Sequence, residues 1–286
     1  HFGAQNVGIL TGDRKENAQA PVIVGTTEIL RNQLYDAMHH GQALDTDFVV
    51  LDEAHYLGDP DRGVVWEEIL IYLPQRIPLL LLSATVGNDD QIAAWLTSIR
   101  GKACHVVRET HRPVLLYPLF LHPSGPLLPL RVTSGRGAKA RTYKKIKDFL
   151  GARRGGILAP PGKLPHFGSI LEILRKYNLL PAIFFLKSRA DCDHALQLCL
   201  ENRIRDPDRA QALNQRIDQL MDQFPHVRRH KQRWLLEHMA VGAHHSGQLP
   251  MWKLVLETLM SEGMLDAIFA TSTVAAGVDF PARTVA

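Results

Sequence analysis

The sequence predicts an α/β protein with parallel sheets, because short apolar runs alternate along the chain with stretches of helical periodicity. The runs are continuous rather than alternating, which is typical of strands covered on both faces. They lie at residues 21–24, 48–51, 79–82, 182–186 and 267–269. Between the runs, two sets of apolar residues recur at helical spacing: Ile92, Trp95, Leu96 and Ile99, and Leu213, Ile217, Leu220, Met221 and Phe224.

The composition is that of a globular domain pair rather than a membrane or disordered protein. The chain has 286 residues, 45% of them hydrophobic and 22% charged, with a net charge of +4. No apolar run approaches the roughly 20 residues that span a bilayer, so we expect no membrane partner. The three cysteines form no CxxC pair, which favours a reduced, cytoplasmic protein. The sequence begins without Met and ends where a strand begins, and we expect a piece of a longer chain.

The pattern predicts two domains and a connecting region. Residues 1–110 and 166–286 carry the alternating strands and helices, and 201–235 is expected to be a helical insertion in the second domain. Residues 111–165 are rich in Pro and Gly and are interpreted as a crossing and an exposed insertion. Within this region, 131–154 holds nine basic residues and one acid, so it is either a solvated flexible segment or a binding surface for a polyanion.

Two polar clusters end two of the apolar runs. Asp52 and Glu53, followed by His55, come after the run at 48–51, and Ser83-Ala84-Thr85 follow the run at 79–82. Ligands gather at the carboxyl ends of parallel strands, so the two clusters fit one shared site. Adjacent carboxylates there suit phosphoryl transfer, in which one acid holds Mg²⁺ through water and the other orients or deprotonates the attacking water.

Three simpler interpretations of the acidic cluster stay open at this point. Asp52 and Glu53 could form a turn and helix N-cap. His55 could bind zinc with the two acids, although HExxH is absent. His55 could also be a packed side chain. Trp66 is interpreted as a core residue, and Glu67 and Glu68 as a helix start or an ion pair, rather than as a site.

Several stretches together resemble the superfamily 2 DExH-box helicases. "VVLDEAHYLGDPDRGVVWEEILIYLPQRIPLLLLSATVGN" (49–88) resembles motifs II and III of that family, and "DRGVVWEE" is most similar to the superkiller-type branch, whose members unwind RNA for the exosome. "PAIFFLKSRADCD" (181–193), "VGAHHSGQLP" (241–250) and "IFATSTVAAGVDFPARTV" (268–285) resemble motifs IV, IVa and V. "GILTGD" (8–13) and "VGTTEILRN" (24–32) resemble segments Ib and Ic.

The resemblance implies two RecA-like domains of the P-loop NTPase helicase core, with ATP between them and a single strand across their tops. Asp52 would then hold Mg²⁺ through water, Glu53 would be the catalytic base, and His55, Ser83, Ala84 and Thr85 would couple the nucleotide to domain movement. Motif V would contribute Thr271, Thr273, Gly277 and Asp279, which face both nucleotide and nucleic acid. The strand itself would contact Thr11, Gly12, Thr26, Thr27, Arg31, Ser188, His245, Ser246 and Gly247.

The adjacent histidines His244 and His245 have a metal-binding alternative. Neighbouring residues of a strand face opposite ways, so both rarely bind one ion. We expect one packed histidine and one near the nucleic-acid backbone.

The sequence departs from the family at two places. It has no GxxxxGK[ST] phosphate loop, because residues 156–164 ("GILAPPGKL") have the wrong spacing, two prolines and no terminal hydroxyl. The arginine-bearing motif VI is absent as well. We therefore expect a fragment of a helicase or translocase with both RecA-like domains truncated, inactive alone, and acting on RNA more than DNA. A non-catalytic nucleic-acid-binding module and a metal-dependent hydrolase are the alternatives.

Overall fold

The computed structural model describes residues 2–12, 14–60, 62–84, 87–122, 125–133, 140–151, 164–271 and 280–286. The chain divides into two units, His1–Pro113 and Val114–Ala286. Each unit has its own apolar core and is treated separately.

The first unit combines two small sheets with three α-helices. Its elements are β1 (Val7–Leu10), β2 (Lys15–Glu16), β3 (Val22–Gly25), α1 (Thr27–His39), β4 (Val49–Leu51), α2 (Gly63–Tyr72), β5 (Leu79–Leu81) and α3 (Asp89–Arg100). Strands β1 and β3 are parallel, β2 is antiparallel to β1, and β4 and β5 form a parallel pair.

The core of the first unit lies where helices cover one face of β4 and β5. Leu34 of α1, Ile69 and Leu70 of α2 and Leu96 of α3 are buried there together with Leu51 of β4. Trp66 is also buried, at 4% exposure, as its interpretation as a core residue predicts.

The prediction that both faces of every strand are covered is wrong for the first unit. Val50 of β4 is 50% exposed, Leu80 of β5 is 43% exposed, and Ile23 and Val24 of β3 are exposed as well. The described elements cover only the face that carries Val49 and Leu51, so the alternate residues of each strand remain in contact with solvent.

The second unit is built on a fully parallel four-stranded sheet. Its order is β11 (Val241–His244), β12 (Ala267–Ala270), β10 (Ala182–Phe185) and β13 (Thr284–Val285). The helices of this unit are α4 (Lys144–Gly151), α5 (Phe167–Lys176), α6 (Arg189–Gln197), α7 (Pro207–Gln223), α8 (Arg233–Met239) and α9 (Pro250–Ser261). Two short antiparallel pairs precede them: β6 (Leu119–Leu121) with β7 (Leu127–Pro129), and β8 (Arg131–Val132) with β9 (Arg141–Thr142).

Helix α7 supplies most of the apolar surface of the segment 201–235. Leu213, Ile217, Leu220 and Met221 are buried on one face of α7, and Phe224 packs beside them, as the helical spacing predicts. Strand β12 is buried along its whole length and β10 is buried except at Phe185, so the continuous apolar pattern is confirmed for these two strands.

All three cysteines are free thiols. Cys104 is exposed, whereas burial raises the pKa of Cys192 to about 11 and that of Cys199 to about 12. No helix in the described part of the chain has the length and apolar character needed to cross a bilayer.

Candidate functional site

The polar segments Asp52-Glu53 and Ser83-Ala84 follow β4 and β5 at the same edge of their sheet. Strands β4 and β5 run parallel with Leu51 opposite Leu81. Beyond them, the Leu82 N–H donates to the Leu51 carbonyl (3.0 Å) and the Ala54 N–H donates to the Leu82 carbonyl (2.8 Å). These bonds place Asp52 and Glu53 beside the start of the Ser83-Ala84 segment. Thr85 lies outside the described residues.

Glu53 has a left-handed backbone conformation, with φ 60° and ψ 43°. This conformation is uncommon for a residue with a side chain and costs on the order of 1 kcal/mol. The Glu53 N–H donates to Asp52 Oδ1 (2.8 Å), and the backbone turns from β4 directly into the 3₁₀ turn Ala54–Gly58. The side chain of Glu53 caps no helix, so the N-cap interpretation does not describe it.

His55 orients the Glu53 carboxylate. Its Nδ1 lies 3.1 Å from Glu53 Oε2, and both side chains remain more than a third exposed. The imidazole stacks beside the Tyr56 ring and lines a cavity of about 330 Å³ with Glu67, Asn88 and Trp95. His55 is therefore neither a buried packing residue nor isolated from the acids.

The residues of the first unit that are predicted to contact nucleic acid lie at the ends of β1 and β3, with one exception. Leu10 pairs with Gly25 in the parallel register, so Thr11 and Gly12 follow β1 beside Thr26, and Thr27 begins α1. The exception is Arg31, one turn further along α1. Its Nη1 lies 3.8 Å from Glu68 Oε2 on α2. The contact of Arg31 with nucleic acid stays a prediction.

The residues of the second unit that are predicted to contact nucleic acid also lie at one edge of its sheet. Because β10, β11 and β12 are parallel, their carboxyl ends place Ser188, Ser246 and Thr271 at the same side of the sheet. The Ser188 hydroxyl accepts the Asp191 N–H (3.0 Å), so it also serves as the N-cap of α6. Thr273, Gly277 and Asp279 of the predicted motif V lie outside the described residues.

His244 and His245 are both buried, whereas the sequence predicts that one of them lies near the nucleic-acid backbone. His244 is 6% exposed and His245 is 4% exposed. His244 Nε2 lies 2.6 Å from Glu257 Oε1 on α9, and His245 Nδ1 accepts the Gly247 N–H (3.1 Å). The side chain of His245 thus lies on the inner side of the loop, whereas Ser246, Gly247 and Leu249 are exposed.

The predicted set of site residues does not include Asp193 of α6, which holds that loop in place. Asp193 Oδ1 accepts from Gln232 Nε2 (2.6 Å) and Gln248 Nε2 (3.2 Å), and His245 Nε2 lies 3.3 Å away. Since His245 Nδ1 is an acceptor, its Nε2 carries the proton and donates to Asp193. No spacing in the sequence signals this cluster, because its members come from three separate segments.

A partly buried histidine completes the same network. His230 Nε2 lies 3.0 Å from Gln248 Oε1, and its Nδ1 accepts the Gln232 N–H (3.3 Å). The ring stacks on Trp252 with a centroid distance of 3.9 Å. Burial lowers the pKa of His230, so the neutral ring keeps these two opposite hydrogen-bonding roles.

The residues at the acidic edge do not form a conventional protein metal cage. Throughout the described ranges, no group of three or more His, Cys, Asp or Glu side chains is arranged to hold a metal ion. The zinc interpretation of His55 and the metal interpretation of His244 and His245 therefore have no supporting ligand set in that part of the chain.

Comparisons with known proteins agree with these features. Residues 5–92 match the family DEAD/DEAH box helicase. The chain is 35% identical to "DExH-box ATP-dependent RNA helicase DExH15 chloroplastic" of Arabidopsis thaliana, 37% to "Probable helicase HelY" of Mycobacterium tuberculosis and 33% to "Exosome RNA helicase MTR4" of Mus musculus. These alignments cover 98–99% of this chain but only 27–33% of each relative.

Solved structures show the same fold. Yeast Dbp5 bound to RNA and ADP BeF3 matches with a TM-score of 0.53 and 16% identity, over 98% of this chain and 54% of that one. Mycobacterium smegmatis Lhr bound to ssDNA and AMP-PNP matches with a TM-score of 0.51 and 18% identity, over 97% and 30%. The RecA-like α/β fold and the predicted family are thereby confirmed: the chain carries a DEAD/DEAH box helicase segment and is, along nearly its whole length, a relative of the DExH-box helicases.

Proposed function

We propose that this chain is the part of an ATP-dependent helicase or translocase that carries the hydrolytic acids and a set of strand contacts. The observation that carries the proposal is the Asp52-Glu53 pair at the carboxyl end of β4, hydrogen-bonded through Ala54 to the end of β5. Phosphoryl transfer depends on positioned charge rather than on covalent chemistry, and a rigid strand end supplies such positioning.

The donor set fits Mg²⁺ in the way that nucleotide sites hold it. Mg²⁺ prefers oxygen ligands, keeps several waters and is held by one or two carboxylates together with substrate phosphates. Asp52 offers a carboxylate at the edge of the sheet, with Oδ1 fixed by the Glu53 N–H, and would hold the ion through water. When bound, the ion would neutralise charge on the phosphates.

Glu53 is assigned the role of general base. Its carboxylate would take the proton of the attacking water, and the bond between Oε2 and His55 Nδ1 limits the rotamers of the side chain. The left-handed backbone supports this assignment, because strained conformations cluster at functional sites. Ser83 and Ala84 stand beside Ala54 and would transmit a change at the acids to the neighbouring segment.

Seven further residues are assigned to contact with a nucleic-acid strand. Thr11, Gly12, Thr26 and Thr27 in the first unit, and Ser188, Ser246 and Gly247 in the second, offer hydroxyl and backbone N–H groups that bind phosphates without reading bases. We propose RNA as the favoured strand, because two of the relatives are named RNA helicases. A cytoplasmic location stays a prediction.

Nucleic-acid-stimulated ATP hydrolysis by the complete protein tests the proposal. Glu53→Gln should lower kcat by about 10²-fold or more while ATP binding persists, because the base is lost and the fold is kept. Glu67→Gln is the matched control, since Glu67 is exposed on α2 and lines the cavity beside His55. Full turnover by Glu53→Gln would remove the basis of the proposal. Running the assay with matched RNA and DNA strands tests the strand preference.

A further inference from the structure

A cationic pocket lies beside the loop of the second unit that carries Ser246 and Gly247, and apart from Gly247 its lining residues have no role in the function proposed above. It has a volume of about 340 Å³ and is open to solvent. Part of its lining comes from Asp193 and from the loop residues His245, Gly247, Gln248 and Leu249. The rest comes from the connection between α7 and α8, which contributes His226, Arg229, His230 and Lys231.

The positive charge of this pocket is only partly neutralised by the protein. Arg229 and His226 are exposed, and no acidic side chain within the described ranges pairs with either of them. Lys231 reaches Asp193 Oδ2 at 3.6 Å, but its side chain is 72% exposed. The Asp193 carboxylate already accepts hydrogen bonds from Gln232 and Gln248, so its charge is shared among several donors.

Arg229 belongs to the half of this unit's described arginines that have no acidic partner. Those with an acidic partner are Arg175, Arg205, Arg209, Arg216, Arg228 and Arg233. Ion pairs hold these six guanidinium groups to the protein surface, whereas Arg229 lines an open pocket. An unpaired guanidinium in a concave site favours binding of an anion such as phosphate.

The pocket adjoins the predicted path of the strand through Gly247. A Cβ atom at Gly247 would lie 3.1 Å from the His245 ring and 3.3 Å from Cδ of Arg189, the residue after Ser188. Gly247 thus stands in close contact with the Ser188-Arg189 segment and also lines the pocket. The partly buried network of Asp193, Gln232 and Gln248 fixes the α7–α8 connection to this loop.

We propose that Arg229 and Lys231, with His226 beside them, bind a phosphate group of the single strand that passes Ser246 and Gly247. The helical insertion would then extend the strand-binding surface of the second unit in addition to packing on its core. The inference rests on the proposed function, because it needs a strand at this edge. It gives no preference between RNA and DNA, since both carry the same phosphodiester.

The salt dependence of strand binding by the 286-residue chain tests the inference. Binding of a labelled 20-nucleotide oligouridine and of the matching oligothymidine is measured by fluorescence anisotropy at several salt concentrations. Each phosphate contact contributes about 0.7 to the slope of log Kd against log salt for a single strand. The Arg229→Gln, Lys231→Gln variant loses one such contact and should therefore lower the slope by about 0.7 with both oligonucleotides.

The control variant removes the same charge at the opposite edge of the sheet. Lys176 is the last residue of α5, shortly before the start of β10. Arg203 lies near the start of β11, because the N–H of the next residue, Ile204, donates to the carbonyl of His238 at the end of α8. Lys176→Gln, Arg203→Gln should leave the slope within about 0.3 of the unaltered chain. Thermal unfolding of both variants verifies that the fold is retained, as the exposure of all four side chains leads us to expect.

The two possible failures are distinguishable. If the unaltered chain binds with a steep salt dependence but both variants keep its slope, the pocket does not bind the strand and the inference is wrong, while the proposed function stands. If the unaltered chain shows no salt-dependent binding of either oligonucleotide, the inference fails together with the proposed strand contact. A slope that falls equally in both variants indicates a general charge effect and also overturns the inference.

Discussion

At the scale of single residues, the conformation of Glu53 is the feature that the sequence could not predict. The letters Asp-Glu after an apolar run are compatible with an N-cap, a turn or a pair of catalytic acids. A positive φ depends on the exit of the chain from β4, where the Glu53 N–H bonds to Asp52 and Ala54 bonds across to Leu82. These contacts come from the pairing of two strands, so the acid pair could be located from sequence but its geometry could not.

Because the backbone of Glu53 is left-handed, the glycine variant at this position should be more stable than the alanine variant, which reverses the usual order. Glycine adopts this conformation without a Cβ penalty, whereas alanine does not, so Glu53→Gly should be more stable than Glu53→Ala by about 1 kcal/mol. Both variants lose the same carboxylate, so the comparison isolates the backbone. Urea unfolding monitored by circular dichroism gives the difference.

Glu67 provides the control for this comparison. It is an exposed residue inside α2, where glycine is less favourable than alanine by about 1 kcal/mol, so the order of its two variants should be the normal one. If Glu53→Ala proved as stable as Glu53→Gly, or more stable, the strain at this position would be absent in solution.

At the scale of elements, equal sequence patterns give different burial in the two units. The run in β12 is buried at every position, whereas the run in β4 buries Val49 and Leu51 and exposes Val50. A continuous apolar run indicates that a strand can be covered on both faces, but the covering elements are contributed by other parts of a fold. The location and direction of the strands were therefore predictable, and the burial of their outer faces was not.

Helix α7 is held to the sheet of the second unit by a buried acid. Asp266, just before β12, is 5% exposed at its side chain and accepts from Arg209 Nη2 of α7 and from Arg175 Nη2 of α5, both at 2.7 Å. Arg209 also donates to the Met264 carbonyl at 3.1 Å. A buried carboxylate that loses a partner keeps its desolvation cost, which makes this contact important for the position of α7.

Two arginines on α7 should therefore differ in their effect on stability. Arg209→Gln should lower the free energy of unfolding by about 2 kcal/mol, because it leaves Asp266 with one cation. Arg216→Gln breaks a pair with Glu262 in which both side chains are about 30% exposed, and should cost less than about 1 kcal/mol. Urea unfolding of the two variants is the measurement, and equal losses would show that Asp266 does not anchor α7.

At the scale of the whole molecule, the order of short motifs along the chain was enough to identify the fold and the family. The residues of each motif are close together in the sequence, such as Asp52-Glu53 or Ser246-Gly247, so the motif can be recognised without a structure. The network around Asp193 has no such signature, because it joins α6, the segment before α8 and the loop after β11. Contacts between distant segments are visible only once the sheet has brought their ends together, and the cationic pocket was therefore not predictable.

The distribution of chemical groups along the chain leads to a final prediction about its activity. The acids at 52–53 lie in the first unit, but no stretch of the sequence matches GxxxxGK[ST], the loop whose backbone N–H groups and lysine hold the β- and γ-phosphates. Without such a loop the water-orienting acid has no positioned phosphate, and positioning supplies most of the rate in this chemistry. The 286-residue chain alone should therefore bind a single strand yet release no phosphate from ATP above background. Phosphate release with saturating oligouridine, Mg²⁺ and ATP is the measurement, and Glu53→Gln gives the background. Turnover that requires Mg²⁺ and disappears in Glu53→Gln would show that this chain forms a complete nucleotide site by other means.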